Sequence, residues 1–330
     1  MTDVTRPDTA RPRGMATRLL SQLRDRPIVP LLILLAILAV TFALLNPRAV
    51  LSDWVAASLR AAVPLAIIAG AQTLTMLTGG IDLSVAATAS MAGFVAASLY
   101  VGAGTPAGVM VALIFAVLIG VMNGLGVGVF RVHPLIMTLG MGLVILGGAN
   151  AWQLLTVRTS SGVPPEIRYL GSTIVFGIFP LDVLVFVPLA ALILVGLRRT
   201  GYGRLLYAIG DNPVAARLSG VRSWQVLLVL YVLSALLAAI GGLLVSGLTN
   251  VASVTLADPY LLPSVAAAVI GGTSILGGRG GFAGTIVGAL ILTVVTSLLS
   301  SLGLSEAVRQ ILFGSIIVLV AAGYARVTAT

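Results

Sequence analysis

The sequence predicts an all-α fold: a polytopic transmembrane helical bundle of about ten spans, some broken or short, with both termini cytoplasmic. Three observations predict it. Hydrophobic residues make up 58% of the chain and charged residues only 9%, against about 25% charged in a soluble domain. Apolar stretches recur from Ile28 to Tyr324, each near the length of about 20 residues that a helix needs to cross a bilayer. The arginines gather at alternate ends of those stretches, fourteen of the nineteen basic residues on one side. That asymmetry is the positive-inside pattern.

In chain order, residues 1–27 are polar and carry Arg6, Arg11, Arg13, Arg18, Arg24 and Arg26. They read as a disordered cytoplasmic tail. The run Ile28–Leu45 leads into Asn46-Pro47-Arg48. It is longer than the 7–15 apolar residues of a signal peptide, so it reads as an anchor. Later spans are expected at 55–77, 83–100, 106–130, 134–157, 180–197, 225–248, 262–276, 282–301 and 306–324. The transmembrane domain then covers 28–326, with a cytoplasmic loop at 198–224 and a cytoplasmic end at 327–330. Residues 158–179 and 249–261 are expected outside. The tail and the loop 198–224 hold 27 residues each, well short of the roughly 50 of a small domain.

The missing residue types exclude several chemistries. All 19 basic residues are Arg, Cys is absent and His133 is the single histidine. A phosphate-cradling P-loop needs its Lys, and a Schiff base needs one too. Sites built on several Cys or His, and disulfides, are equally excluded. The chain is therefore expected to be no enzyme and to carry no cofactor or metal. Any ATP that it uses is hydrolysed by another chain. The net charge of +9 does not indicate nucleic acid, because the arginines lie at span ends rather than in patches with interleaved aromatics.

Two spans are interrupted. Met76-Leu-Thr-Gly-Gly-Ile-Asp-Leu-Ser84 places two glycines and an acid in an apolar region, and Gly271-Gly272-Thr273-Ser274 leads to Gly277-Gly278-Arg279-Gly280-Gly281. In lipid such breaks survive only where protein or a water-filled cavity satisfies the freed backbone. The candidate translocation path or helix break is thus Thr78, Gly79, Gly80, Asp82 and Ser84 with Gly271, Gly272, Thr273 and Ser274. The regions share an apolar approach, a glycine pair, polar residues and a small-residue helix, which suggests an internal repeat. Small residues after each break favour close helix packing. Asp82 has two readings. It lines a polar path, as intramembrane acids often do, or it caps the helix that starts at Leu83.

The loop 198–224 contains Asp211-Asn-Pro-Val-Ala-Ala-Arg-Leu-Ser-Gly220. Asn212 suits an N-cap, Pro213 the first helical position and Gly220 the stop. A helix this short is unstable alone in water. It must dock on this chain's own inner surface or into a cytoplasmic partner. Val214 and Leu218 share one face, Ala215 and Ala216 keep the flanks thin, and Arg217 meets the helix dipole at its favourable end.

Gly210-Asp-Asn-Pro-Val-Ala-Ala-Arg-Leu-Ser-Gly-Val221 resembles the cytoplasmic coupling segment of the ribose/xylose-type ABC permease family. Thr78-Gly-Gly-Ile-Asp-Leu-Ser84 resembles that family's second signature, and Ala267-Ala-Val-Ile-Gly-Gly-Thr-Ser-Ile-Leu-Gly-Gly-Arg-Gly280 its third. The resemblance covers nearly the whole chain after residue 28. It implies a multi-pass permease in a bacterial inner membrane, surrounded by membrane lipid and importing a sugar or sugar-like molecule. The implied partners are an ABC ATPase subunit, an external solute-binding protein and a second permease chain, with no nucleic acid. It also implies ATPase coupling through Asn212, Pro213, Val214, Ala216, Arg217, Leu218 and Gly220. The chain departs from the pattern at Leu261-Leu262-Pro263-Ser264, where relatives often carry an acidic stretch, and at Asp211 and His133. The rival function is an ion-coupled secondary transporter, which also uses broken helices and intramembrane carboxylates.

Overall fold

A computed structural model describes residues 28–47, 49–156 and 162–328. The expected tail, 1–27, lies outside the described residues, as do 329–330. Thirteen helices are described: α1 (Ile28–Leu45), α2 (Leu51–Leu77), α3 (Val85–Ala103), α4 (Thr105–Gly128), α5 (Pro134–Thr156), α6 (Pro165–Ser172), α7 (Val183–Arg199), α8 (Gly201–Asp211), α9 (Pro213–Leu218), α10 (Ser223–Thr249), α11 (Leu261–Ile270), α12 (Phe282–Ser301) and α13 (Glu306–Thr328). The only strands among the described residues are β1 (Ile174–Val175) and β2 (Phe179–Pro180), an antiparallel pair with Ile174 opposite Pro180.

Seven helices, α1–α5, α10 and α12, are long and apolar enough to cross a membrane. An eighth span arises if α7 and α8, bent by 68° at Thr200, count as one. The span expected at 262–276 is instead the ten-residue α11. At 1.5 Å per residue it reaches roughly 15 Å, half the hydrocarbon thickness. The helix stops there because Gly271 and Gly272 follow it. Residues 158–179, expected as a plain outer loop, contain α6 and β1.

α10 is the central strut, packed against α2, α3, α4 and α6. Its closest neighbour is α4, where Gly120 lies under the backbone of Tyr231 and Val232; a Cβ there would sit 2.5 Å from Val232 Cα. Small residues at that crossing let the two backbones touch, the usual basis of helix association in lipid. A second layer joins α2, α11, α12 and α13, with α1 against α12. The hydroxyls of Thr73 and Thr285, 2.7 Å apart and buried, tie α2 to α12. By contrast Leu32, Ile37, Val40 and Leu44 of α1, Leu143 and Val144 of α5, and Leu184 and Leu192 of α7 are exposed. Such outward apolar faces suit lipid rather than water.

Candidate functional site

The two glycine breaks end their helices in the same way. At the end of α2, Gly79 N donates to Met76 O and Gly80 N to Thr75 O. At the end of α11, Gly272 N donates to Val269 O and Thr273 N to Ala268 O. Both are Schellman stops, and each needs a left-handed residue. Gly79 supplies it at φ 78° and Gly272 at φ 87°. The loops that follow then meet: Gly278 N donates to Leu77 O across 3.0 Å, closing the second break onto the first.

The 198–224 segment joins them there. α8 starts at Thr200, whose hydroxyl accepts from Gly203 N. It buries Leu206 and Ile209, and it runs up to the same junction. Gly210 packs directly against Leu77 O; a Cβ there would also lie 2.5 Å from Gly278 N. The Tyr207 hydroxyl donates to Gly280 O across 2.9 Å. Three segments far apart in sequence therefore share one backbone contact.

α9 follows immediately and has the start and stop that its residues imply. Asn212 Oδ1 accepts from Val214 N at 3.0 Å and Ala215 N at 2.9 Å. Pro213 occupies the first turn. Gly220 at φ 84° closes a third Schellman stop, with Gly220 N donating to Arg217 O and Val221 N to Ala216 O. Ala216 is the residue of α9 that is buried on the protein's own surface. Val214 and Leu218 remain 54% and 86% exposed, and Arg217 is exposed beside them. The helix rests on this chain by one small residue and presents its apolar ridge outward.

Asp82 lies on the 78–84 turn, 1% exposed. Its Oδ1 accepts from Ser84 N at 2.9 Å and Ser84 Oγ at 2.6 Å, and its Oδ2 from Ser234 Oγ on α10 at 3.0 Å. Asn123 Nδ2 on α4 donates to Ser84 Oγ at 3.0 Å. Gln72 on α2 grips the backbone of the turn, Nε2 donating to Asp82 O at 2.7 Å while Oε1 accepts from Asp82 N. Thr138 Oγ1 on α5 accepts from Leu83 N at 2.9 Å. The N-cap position of α3 is Ser84, so Asp82 closes a turn two residues ahead of it. Four helices thus hold one carboxylate and its turn without a metal or a second acid. Among the described residues no group of three or more His, Asp or Glu is placed to hold a metal ion.

The structure keeps the predicted residues in two groups that touch at one edge. Thr78, Gly79, Gly80, Asp82 and Ser84 form the first break. The Thr78 hydroxyl donates back to Thr75 O. Gly271, Gly272, Thr273 and Ser274 form the second. Ser274 N donates to Arg279 O, and its Oγ accepts from Leu276 N. Thr273 is fully buried. Sequence reasoning missed Gln72, Asn123, Thr138 and Ser234. Their signal was present: each is a hydrogen-bonding side chain inside an apolar span, where an unsatisfied polar group is costly. It also missed α8, signalled by the Thr200 cap and by Tyr202, Leu205, Leu206 and Ile209 at helical spacing.

A family model described as branched-chain amino acid transport system / permease component matches residues 54–321. The fructose import permease protein of Rhizobium meliloti is 34% identical over 263 residues, covering 78% of this chain and 73% of the relative. The ribose import permease protein of Escherichia coli K12 is 34% identical over 265 residues, 77% of this chain and 80% of the relative. That of Bacillus subtilis is 32% identical over 301 residues, 86% and 88%. No solved structure matches the chain significantly. The match spans both breaks, α9 and α10, and the chain belongs to the ribose/xylose-type ABC permease family.

Proposed function

We propose that this chain is the membrane-spanning subunit of an ABC importer that moves a monosaccharide or closely related polyol across a bacterial inner membrane. ATP is hydrolysed by a partner ATPase, an external binding protein delivers the sugar, and a second permease chain completes the pathway. Ribose and fructose import by the relatives supports the substrate class. The observation that carries the reading is the junction of Leu77, Gly210 and Gly278. It links an outward-facing docking helix to both interrupted spans by direct backbone contact. A push on α9 reaches the breaks without passing through a flexible linker.

The same reading takes ten spans with both termini cytoplasmic. α1–α5, α7, α10, α11 with its loop, α12 and α13 then alternate across the membrane. This places the 78–84 turn, α8, α9 and the 271–281 loop on the cytoplasmic side. In this arrangement Asn212, Pro213, Val214, Ala216, Arg217, Leu218 and Gly220 form the coupling element, and the two breaks border the path. Ion coupling is disfavoured because Asp82 is already held by three donors from Ser84 and Ser234.

Affinity purification from cells that also express the cognate ATPase and binding protein tests the assembly. The chain alone is expected to hydrolyse no ATP. The complex is expected to hydrolyse it faster when the sugar-loaded binding protein is added. A purified chain that binds no ATPase under these conditions contradicts the reading.

A further inference from the structure

The helix that leaves the coupling segment touches the first break at two points. α10 begins at Ser223, just beyond α9, and carries no proline. Ser234 lies three turns on, roughly 16 Å along the axis. There its hydroxyl donates to Asp82 Oδ2. Three residues earlier on the same face, the Tyr231 hydroxyl lies against Gly80, 3.2 Å from where a side chain would begin. Tyr231 and Ser234 are 1% and 0% exposed, so neither contact competes with water. The remaining groups around Asp82 come from other helices: Asn123 through Ser84, Gln72 on the backbone and Thr138 on Leu83. These hold the turn's shape. The Ser234 bond is the one that joins the Asp82 carboxylate to α10.

We infer that Ser234 and Asp82 form a latch through which the strut α10 carries displacement of the coupling helix to the first helix break, with Ser234 as a positioning residue. This rests on the importer reading above. A buried hydrogen bond that does not compete with water is stronger than an exposed one, and a packed helix moves as a unit rather than compressing. Gly210 carries the same motion to the lower rim of the break at Leu77; Ser234 carries it to the far side of the turn, beyond Gly80. Together the two contacts shift the turn as a body. Without Ser234 the turn stays folded, closed by Ser84 and gripped by Gln72, but it follows α10 only through the packing of Tyr231 on Gly80.

The test uses the full chain assembled with its ATPase in proteoliposomes, with a maleimide as the probe. The native sequence has no cysteine, so Thr78→Cys reports on the break and Ser219→Cys on the coupling helix. Vanadate-trapped nucleotide is expected to change the labelling rate at both positions. With Ser234→Ala added, the response at Ser219→Cys persists. The response at Thr78→Cys falls roughly tenfold, the population shift expected when one buried hydrogen bond is lost. Asp82→Asn keeps the Oδ1 acceptor for Ser84 and replaces the Oδ2 acceptor by an NH2 donor, so the bond to Ser234 survives only reversed and the loss is smaller. It serves as the readout if Ser234→Ala does not assemble. A full nucleotide response at Thr78→Cys in Ser234→Ala, or in Asp82→Asn where that variant is the readout, overturns the latch. No response at either position in the parent protein overturns the importer reading, and the latch falls with it.

Discussion

The amide of Gly278 donates to the carbonyl of Leu77 across 3.0 Å, joining the loops of two interrupted spans. Gly210 of α8 closes the remaining side of that carbonyl. The permease thus brings its three glycine-bearing signatures to one point, although they are scattered along the sequence.

Gly210 is the most space-limited member of the junction. Gly210→Val forces a side chain into Leu77 O and the Gly278 amide. Overpacking of this kind costs about 1–3 kcal/mol. We expect a lower melting temperature for the purified protein and loss of uptake. Gly147→Ala, where nothing lies within 4 Å of the added Cβ, is the matched control and leaves both unchanged. Equal behaviour of the two variants contradicts the junction.

The proposed coupling helix α9 depends on its ends. Asn212→Ala removes the acceptor for two backbone amides, a loss of about 1 kcal/mol that Asp at the same position avoids. Gly220→Val disfavours the left-handed stop, and Arg217→Glu reverses a charge at the exposed helix end. All three variants should insert normally, and Asn212→Ala, Gly220→Val and Arg217→Glu should each retain less ATPase on co-purification and show less uptake. Wild-type retention in all three places the docking contact elsewhere.

This helix was the most legible part of the sequence. Its Asn, Pro and Gly act within a few residues of one another, so local chemistry specifies them. The glycine stops at Gly79 and Gly272 were legible for the same reason. The half-length of α11 was harder to read, because the apolar run continues through Ile275 and Leu276 and hydropathy does not register a Schellman stop. α8 was obscured by Gly201, Gly203 and Gly210, which read as loop residues, although Gly203 and Gly210 serve close packing. The ring of Gln72, Asn123, Thr138 and Ser234 around Asp82 comes from four helices. No periodicity within one segment brings such residues together.

Asp82 separates folding from transport. Asp82→Leu leaves Ser84 and Ser234 without their acceptor in a buried turn. Each unsatisfied donor costs about 1–3 kcal/mol. Membrane abundance of the folded protein is expected to fall sharply. Asp82→Asn keeps an acceptor for Ser84 and should hold abundance near the parent level. If Asp82→Leu accumulates as well as the parent protein, the turn is not held by this carboxylate.

At the start of α4, the Thr105 hydroxyl donates to Glu166 across 2.6 Å and, as the largest influence, holds that carboxyl below the ordinary Glu range. A lowered folded-state value gives stability that is present above the unfolded pKa and lost as pH falls through the folded one. Protection of 165–172 against hydrogen exchange, corrected for the pH dependence of intrinsic amide exchange, should therefore fall as pH drops below the ordinary carboxylate range. Thr105→Val should weaken that pH dependence. The same acid response in both proteins counts against the contact.

Uptake of radiolabelled ribose and fructose into proteoliposomes holding this chain, its ATPase and its binding protein separates an ATP-driven importer from an ion-coupled transporter. The energy source is switched between enclosed ATP and an imposed proton or sodium gradient. Accumulation of at least one sugar is expected with ATP, none with a gradient alone, and none when the ATPase is omitted. Gradient-driven accumulation by this chain without the ATPase would contradict the importer reading.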